Sequence, residues 1–127
     1  MSTIDVLRDR AVLLAEYKAV LDREQSADTA EFRRFCSGAR AALEWVLGRR
    51  PTTPATGTPT AVTVAAMQQE EQYCDRAIYS AEPRPTLDPD YANGIEHALS
   101  WARGNENEPP TPLERAAQPA QAVCTCG

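Results

Sequence analysis

Large apolar side chains are scarce in this chain of 127 residues: Val, Ile, Leu and Phe together number 21. That is about a sixth of the chain, below the roughly 20% at which order becomes doubtful, although the doubt also requires a high net charge. The formal charge is only −5. Alanine occurs 21 times and sustains the 43% hydrophobic content, so the core is expected to be thin and closely approached. No run of about 18 apolar residues is present, which excludes a transmembrane helix, and no membrane is expected among the partners. No basic segment followed by an apolar one opens the sequence, so secretion is not expected and the cytoplasm is the expected location. Histidine and lysine occur once each, at His97 and Lys18. No Ser or Cys stands at a fixed spacing to His97, and no glycine-rich phosphate loop exists. Neither an enzyme nor a cofactor is therefore expected, and no catalytic residue is assigned.

Basic clustering is also weak. Arg33, Arg34, Arg40, Arg49 and Arg50 form one concentration, but Glu31 and Glu44 are interleaved with it. A solvated helix face explains this better than a phosphate-binding surface, so nucleic acid is not an expected partner. Residues 51–127 carry most of the negative charge.

Four segments have the 3.6-residue periodicity of amphipathic helices, and none alternates as a strand would. The first opens at Ser2-Thr-Ile-Asp5, a capping-box-like start, and places Ile4, Leu7, Ala11, Leu14, Lys18 and Leu21 on one face to about Asp22, with Val12, Leu13 and Val20 widening the apolar stripe. The second runs from about Asp28 through Phe32, Phe35, Cys36, Ala39, Leu43 and Val46 to a stop at Gly48. The third is expected from Thr58-Pro59 through Val64, Met67, Cys74 and Ile78 to Pro83. The fourth is expected from Asp88-Pro89 through Tyr91, Ile95 and Leu99 to Gly104.

The second and fourth segments are alike. Phe35-Cys-Ser-Gly38-Ala-Arg-Ala-Ala42-Leu43-Glu-Trp45-Val-Leu-Gly48 aligns without a gap on Tyr91-Ala-Asn-Gly94-Ile-Glu-His-Ala98-Leu99-Ser-Trp101-Ala-Arg-Gly104, at an offset of 56. The same offset pairs Pro54 with Pro110 and Tyr17 with Tyr73. These matches read as a tandem duplication of one helical hairpin. One such hairpin cannot bury both faces, whereas two can bury each other. The expected fold is all-α: a pseudo-two-fold four-helix bundle. Its parts are a first hairpin at 1–50, a Pro/Thr linker at 51–59, a second hairpin at 60–104 and a flexible tail at 105–127 ending in Cys-Thr-Cys-Gly. With so little apolar surface the bundle is marginal, and a homodimer is expected to cover what remains.

The pattern aromatic-x-x-Gly-x-x-x-Ala-Leu-x-Trp-x-x-Gly resembles that of short uncharacterised helical proteins of Streptomyces, related actinobacteria and their phages. The resemblance implies an accessory protein, bacterial or phage-encoded, and carries over no catalytic residue. Trp45 and Trp101 are expected to close the bundle, with a ligand cage as the other reading. Together with Arg49 and Arg50 they are the candidate binding residues. Cys36 and Cys74 lie on apolar faces and read as small buried hydrophobes. Cys124 and Cys126 form a terminal Cys-x-Cys pair that could hold a soft metal or exchange disulfides. The sequence thus points to a non-catalytic helical protein that binds another protein. The alternative is a thiol or metal-handling protein acting through that terminal pair.

Overall fold

Capping residues explain where three of the four helices start. Thr29 accepts a hydrogen bond through its hydroxyl from the Phe32 amide at 3.1 Å, and Thr63 does the same for Ala66 at 3.0 Å. The Asp88 carboxylate accepts from the amides of Asp90 and Tyr91 ahead of Pro89. Two helices stop alike. Gly48 and Gly104, both at positive φ, donate to the carbonyls of Trp45 and Trp101, and the next residues reach back to Glu44 and Ser100.

The computed structural model describes residues 8–79, 87–105 and 109–110. Its helices are α1 (Arg10–Ser26), α2 (Ala30–Val46), α3 (Val64–Tyr79) and α4 (Pro89–Ala102). Among the described residues the β structure is one isolated bridge, Thr52 with Pro59. The fold is an all-α four-helix bundle in which α1 packs on α2, α2 on α4 and α4 on α3.

The central α2–α4 pair follows the offset of 56 at most of its buried positions, Ala41 and Leu47 excepted, since His97 and Arg103, their equivalents, are half-buried. Cys36, Ala39, Ala42, Leu43, Trp45 and Val46 are buried, and so are Ala92, Ile95, Ala98, Leu99, Trp101 and Ala102. Gly38 and Gly94 are the reciprocal crossing points. A methyl on Gly38 would collide with the Tyr91 carbonyl and stand 3.2 Å from the Ile95 nitrogen. A methyl on Gly94 would collide with the Phe35 carbonyl and stand 3.0 Å from the Ala39 nitrogen. Only hydrogen fits there, so the helices touch backbone to backbone. This offsets the shortage of large side chains with close approach.

Helix α3 keeps its expected face, with Met67 and Cys74 buried, whereas α1 departs from its own in part. In α1 the buried line is Leu13, Glu16 and Val20, whereas Ala11 and Lys18, assigned to the inner stripe, are exposed. In α3 the buried line is Met67, Glu70 and Cys74, with Ala66 beside it. These two lines correspond at an offset of 54, so the Tyr17–Tyr73 match is not the structural one. The two-residue change of register falls between α3 and α4, whose connection is longer than that from α1 to α2. A charged residue at the centre of each inner line obscures the periodicity, and this is why the expected α1 stripe included Leu13 and Val20 correctly but also the exposed Ala11, Val12 and Lys18.

Three boundaries also differ, one of them the end of α1, which runs to Ser26 rather than to about Asp22. The expected start at Ser2 to Leu7 lies outside the described residues, and Arg8 and Asp9 are not helical. The Arg8 amide instead donates to the Ala102 carbonyl at 2.8 Å, tying the chain to the end of α4. Helix α3 begins at Val64 rather than at Pro59, because Thr58 to Thr60 are already engaged. The Thr58 carbonyl accepts from Thr53, and that of Thr60 accepts from the Trp45 indole at 2.9 Å. Finally, Pro110, expected in a flexible tail, is buried, as is its counterpart Pro54. Residues 80–86, 106–108 and 111–127 lie outside the described residues, Cys124 and Cys126 among them.

Candidate functional site

The Pro/Thr linker is a built loop. Thr53 donates through its amide to Thr58, and its hydroxyl lies 2.8 Å from that of Thr56. Beneath it stands Glu70, only 4% exposed. One oxygen of its carboxylate accepts from the amides of Ala55 and Thr56 at 2.8 and 3.1 Å, and the other from the Thr56 hydroxyl at 2.7 Å. A buried carboxylate is tolerable when its lone pairs are used in this way. Glu70 is therefore a structural anchor, and it ties the chain leaving the first hairpin to the middle of α3.

The candidate binding residues are dispersed. Trp45 is 1% exposed and faces the linker through its bond to Thr60. Trp101 is 4% exposed, and the Arg8 guanidinium stands 4.9 Å from its ring centre. Among the described residues no aromatic pairing joins the two indoles, so the structure does not assemble the cage. Arg49 lies over the Tyr17 ring at 5.4 Å, and Tyr17 donates to Glu44 at 2.9 Å. Arg50 is half-buried at the start of the linker. The remaining arginines of the basic concentration are also occupied within the chain. Arg40 pairs with Glu24 and Glu44, and Arg34 bridges Asp88 and Asp90 at the start of α4. His97 is half-buried, with its ring edge-on to Phe35 at 6.1 Å. Cys36 and Cys74 are buried and free. Desolvation pushes the Cys36 thiol up to about 11 and raises that of Cys74 as well, so neither is a poised nucleophile.

The most unusual electrostatics occur in a cleft of about 340 Å³ between α3 and α4, lined by Gln68, Glu71, Gln72, Asp75, Glu96 and Arg103. Glu71 and Asp75 are four residues apart on α3 and share one face. Glu96 comes from the middle of α4. Arg103 binds Glu71 with a two-pronged fork at 2.7 and 2.8 Å. Among the described residues no Arg or Lys pairs with Asp75 or Glu96. Burial raises the Glu96 carboxyl above its ordinary value; repulsion from Asp75 and Glu71 and a hydrogen bond to Asp75 raise it further, while His97 pulls the other way. Three carboxyl groups thus share one cleft with a single guanidinium. Among the described residues no group of side chains could hold a metal ion.

Sequence reasoning missed this cleft. The Glu71–Asp75 spacing was a visible signal, but Glu96 joins it only through the α3–α4 packing. Comparison with protein families, curated proteins and solved structures gives no match.

Proposed function

We propose that this chain is a small non-catalytic module that binds another protein, and that the acidic cleft between α3 and α4 is where a basic segment of that partner docks. The observation that carries the reading is that Glu71, Asp75 and Glu96 line one cleft in which Arg103 pairs with Glu71 alone. Like charges held together cost stability, and such sites are enriched where a ligand relieves the cost. Arg103 also shows that a guanidinium fits this cleft. A partner's Arg or Lys seated on Asp75 and Glu96 would complete the same pattern.

The motif resemblance supports an accessory role in an actinobacterium or one of its phages, with the cytoplasm as the place of work. Within the same proposal the two hairpins descend from one duplicated unit. The matched burial of α2 and α4 and their reciprocal glycine crossing support that origin.

The test is affinity capture from the native host, comparing the wild type with Asp75→Lys/Glu96→Lys at matched helix content. The expected result is a partner that is recovered by the wild type, released by salt and lost with the variant. Recovery of the same proteins by both would refute the cleft as the docking site.

A further inference from the structure

A second cavity, of about 260 Å³, opens between the Pro/Thr linker and α3. Thr53, Thr56, Thr58 and Thr60 line its linker side, and Gln69 and Arg76 stand on the helix side with the buried Glu70. Ordinary ligand pockets begin at roughly 300 Å³, so an occupant is small. The lining holds one carboxylate, Glu70, and one guanidinium, Arg76, so the formal charge of the walls is zero.

The hydrogen bonds around Glu70 fix which way the threonine hydroxyls point. An ionised carboxylate only accepts, so the Thr56 hydroxyl gives Glu70 its hydrogen at 2.7 Å. Thr53, 2.8 Å from Thr56, therefore donates to it. With both hydrogens committed, Thr58, 3.3 Å from each, donates inward, and Thr60 follows at 3.1 Å. Each link of such a chain polarises the next. What reaches the cavity from the exposed Thr58 and Thr60 is thus oxygen lone pairs rather than hydrogens. The opposite side supplies donors. The Arg76 guanidinium lies over the Tyr73 ring at 5.9 Å, and among the described residues it makes no ion pair. At the α1 positions equivalent to Gln69 and Tyr73 stand Ala15 and Ala19, so this amide and this ring belong to the second hairpin alone.

We propose that this cavity binds a small neutral polyol of monosaccharide size, whose hydroxyls donate to Thr58 and Thr60 and accept from Arg76. The Gln69 and Gln72 amides, which both donate and accept, serve the hydroxyls between. Charged ligands fit less well. A cation finds the Glu70 carboxylate already saturated by two amides and a hydroxyl, and an anion meets the lone pairs of Thr58 and Thr60. A sugar ring, with a donor and an acceptor on every hydroxyl, matches walls that change from acceptor to donor across one small cavity.

Nuclear magnetic resonance titration of the intact chain tests this, read at the Thr58 and Thr60 amides and at the Trp45 indole N–H, which donates to the Thr60 carbonyl. The probes are glucose, galactose and myo-inositol, with inorganic phosphate and methylammonium as charged controls. Saturable shifts are expected with at least one neutral probe and with neither control. Thr60→Val and, independently, Gln69→Leu should each weaken that binding by about fivefold, the worth of one hydrogen bond. Both side chains are exposed, so neither change disturbs the core. Shifts that fail to saturate with all three neutral probes would overturn the proposal. So would tighter binding of phosphate or methylammonium, which would mean that the cavity reads charge, and so would binding that both variants leave unchanged.

Discussion

The two glycines at the α2–α4 crossing work by what they lack. Alanine is the better helix former by about 1 kcal/mol, yet at Gly38 or Gly94 its methyl would meet a backbone carbonyl that has no rotamer to yield. Gly38→Ala or Gly94→Ala should therefore destabilise by about 1–3 kcal/mol, the range for overpacked cores. Thermal melts should show a drop of several degrees for either variant, whereas unchanged melting would place the crossing elsewhere. Glu96 gives the opposite sign. Its folded carboxyl holds the proton more firmly than the unfolded one, because burial, Asp75 and Glu71 all raise it. Its favourable contribution is complete below the ordinary carboxylate range and is lost as pH rises through the folded value. Glu96→Gln should accordingly melt higher than the wild type at neutral pH, and the gain should vanish as the pH falls below that range. A gain that stayed constant with pH would exclude the electrostatic cause.

At the scale of elements, the linker depends on one side chain. Removing the Glu70 carboxylate leaves two amides and a hydroxyl without their acceptor, and each unsatisfied buried group costs about 1–3 kcal/mol. Glu70→Ala should lower the melting temperature strongly and speed amide exchange at Ala55 and Thr56, while Glu70→Gln, which keeps an acceptor oxygen, should do less harm. Equal exchange in the wild type and Glu70→Ala would sink this account. The same residue explains what the sequence could and could not disclose. Helices α2 and α4 were legible because their inner faces carry only apolar or small residues and their ends carry Thr, Asp and Gly signals. Helices α1 and α3 were half legible, because each places a glutamate at the centre of its buried line, where a pattern of apolar residues breaks. The linker read as shapeless because its order comes from α3, fourteen or so residues away in sequence, rather than from its own propensities. The acidic cleft was hidden for a related reason: its third carboxyl arrives from another helix.

For the molecule as a whole, the outer helices pack on the central pair and the central pair is joined across the crossing, so neither Cys36 nor Cys74 can be exposed without parting packed helices. Cys36 and Cys74 are both fully buried. In a thiol-reagent assay at mildly alkaline pH both should react slowly, and denaturant should accelerate them in step with the loss of helix. Rapid reaction of either in the native protein would reveal a local opening. The order of contacts, α1 on α2, α2 on α4 and α4 on α3, has a kinetic meaning as well. Each hairpin can form from neighbours in sequence, but neither is whole until α2 finds α4. The linker makes that encounter intramolecular, and a short tether corresponds to an effective concentration of about millimolar. Cutting the backbone after Gly57 should turn folding into a second-order reaction whose midpoint shifts with dilution. Beyond the bonds it makes to Glu70, the Pro/Thr segment therefore contributes a molarity, and the chain folds as two halves that never have to search for each other.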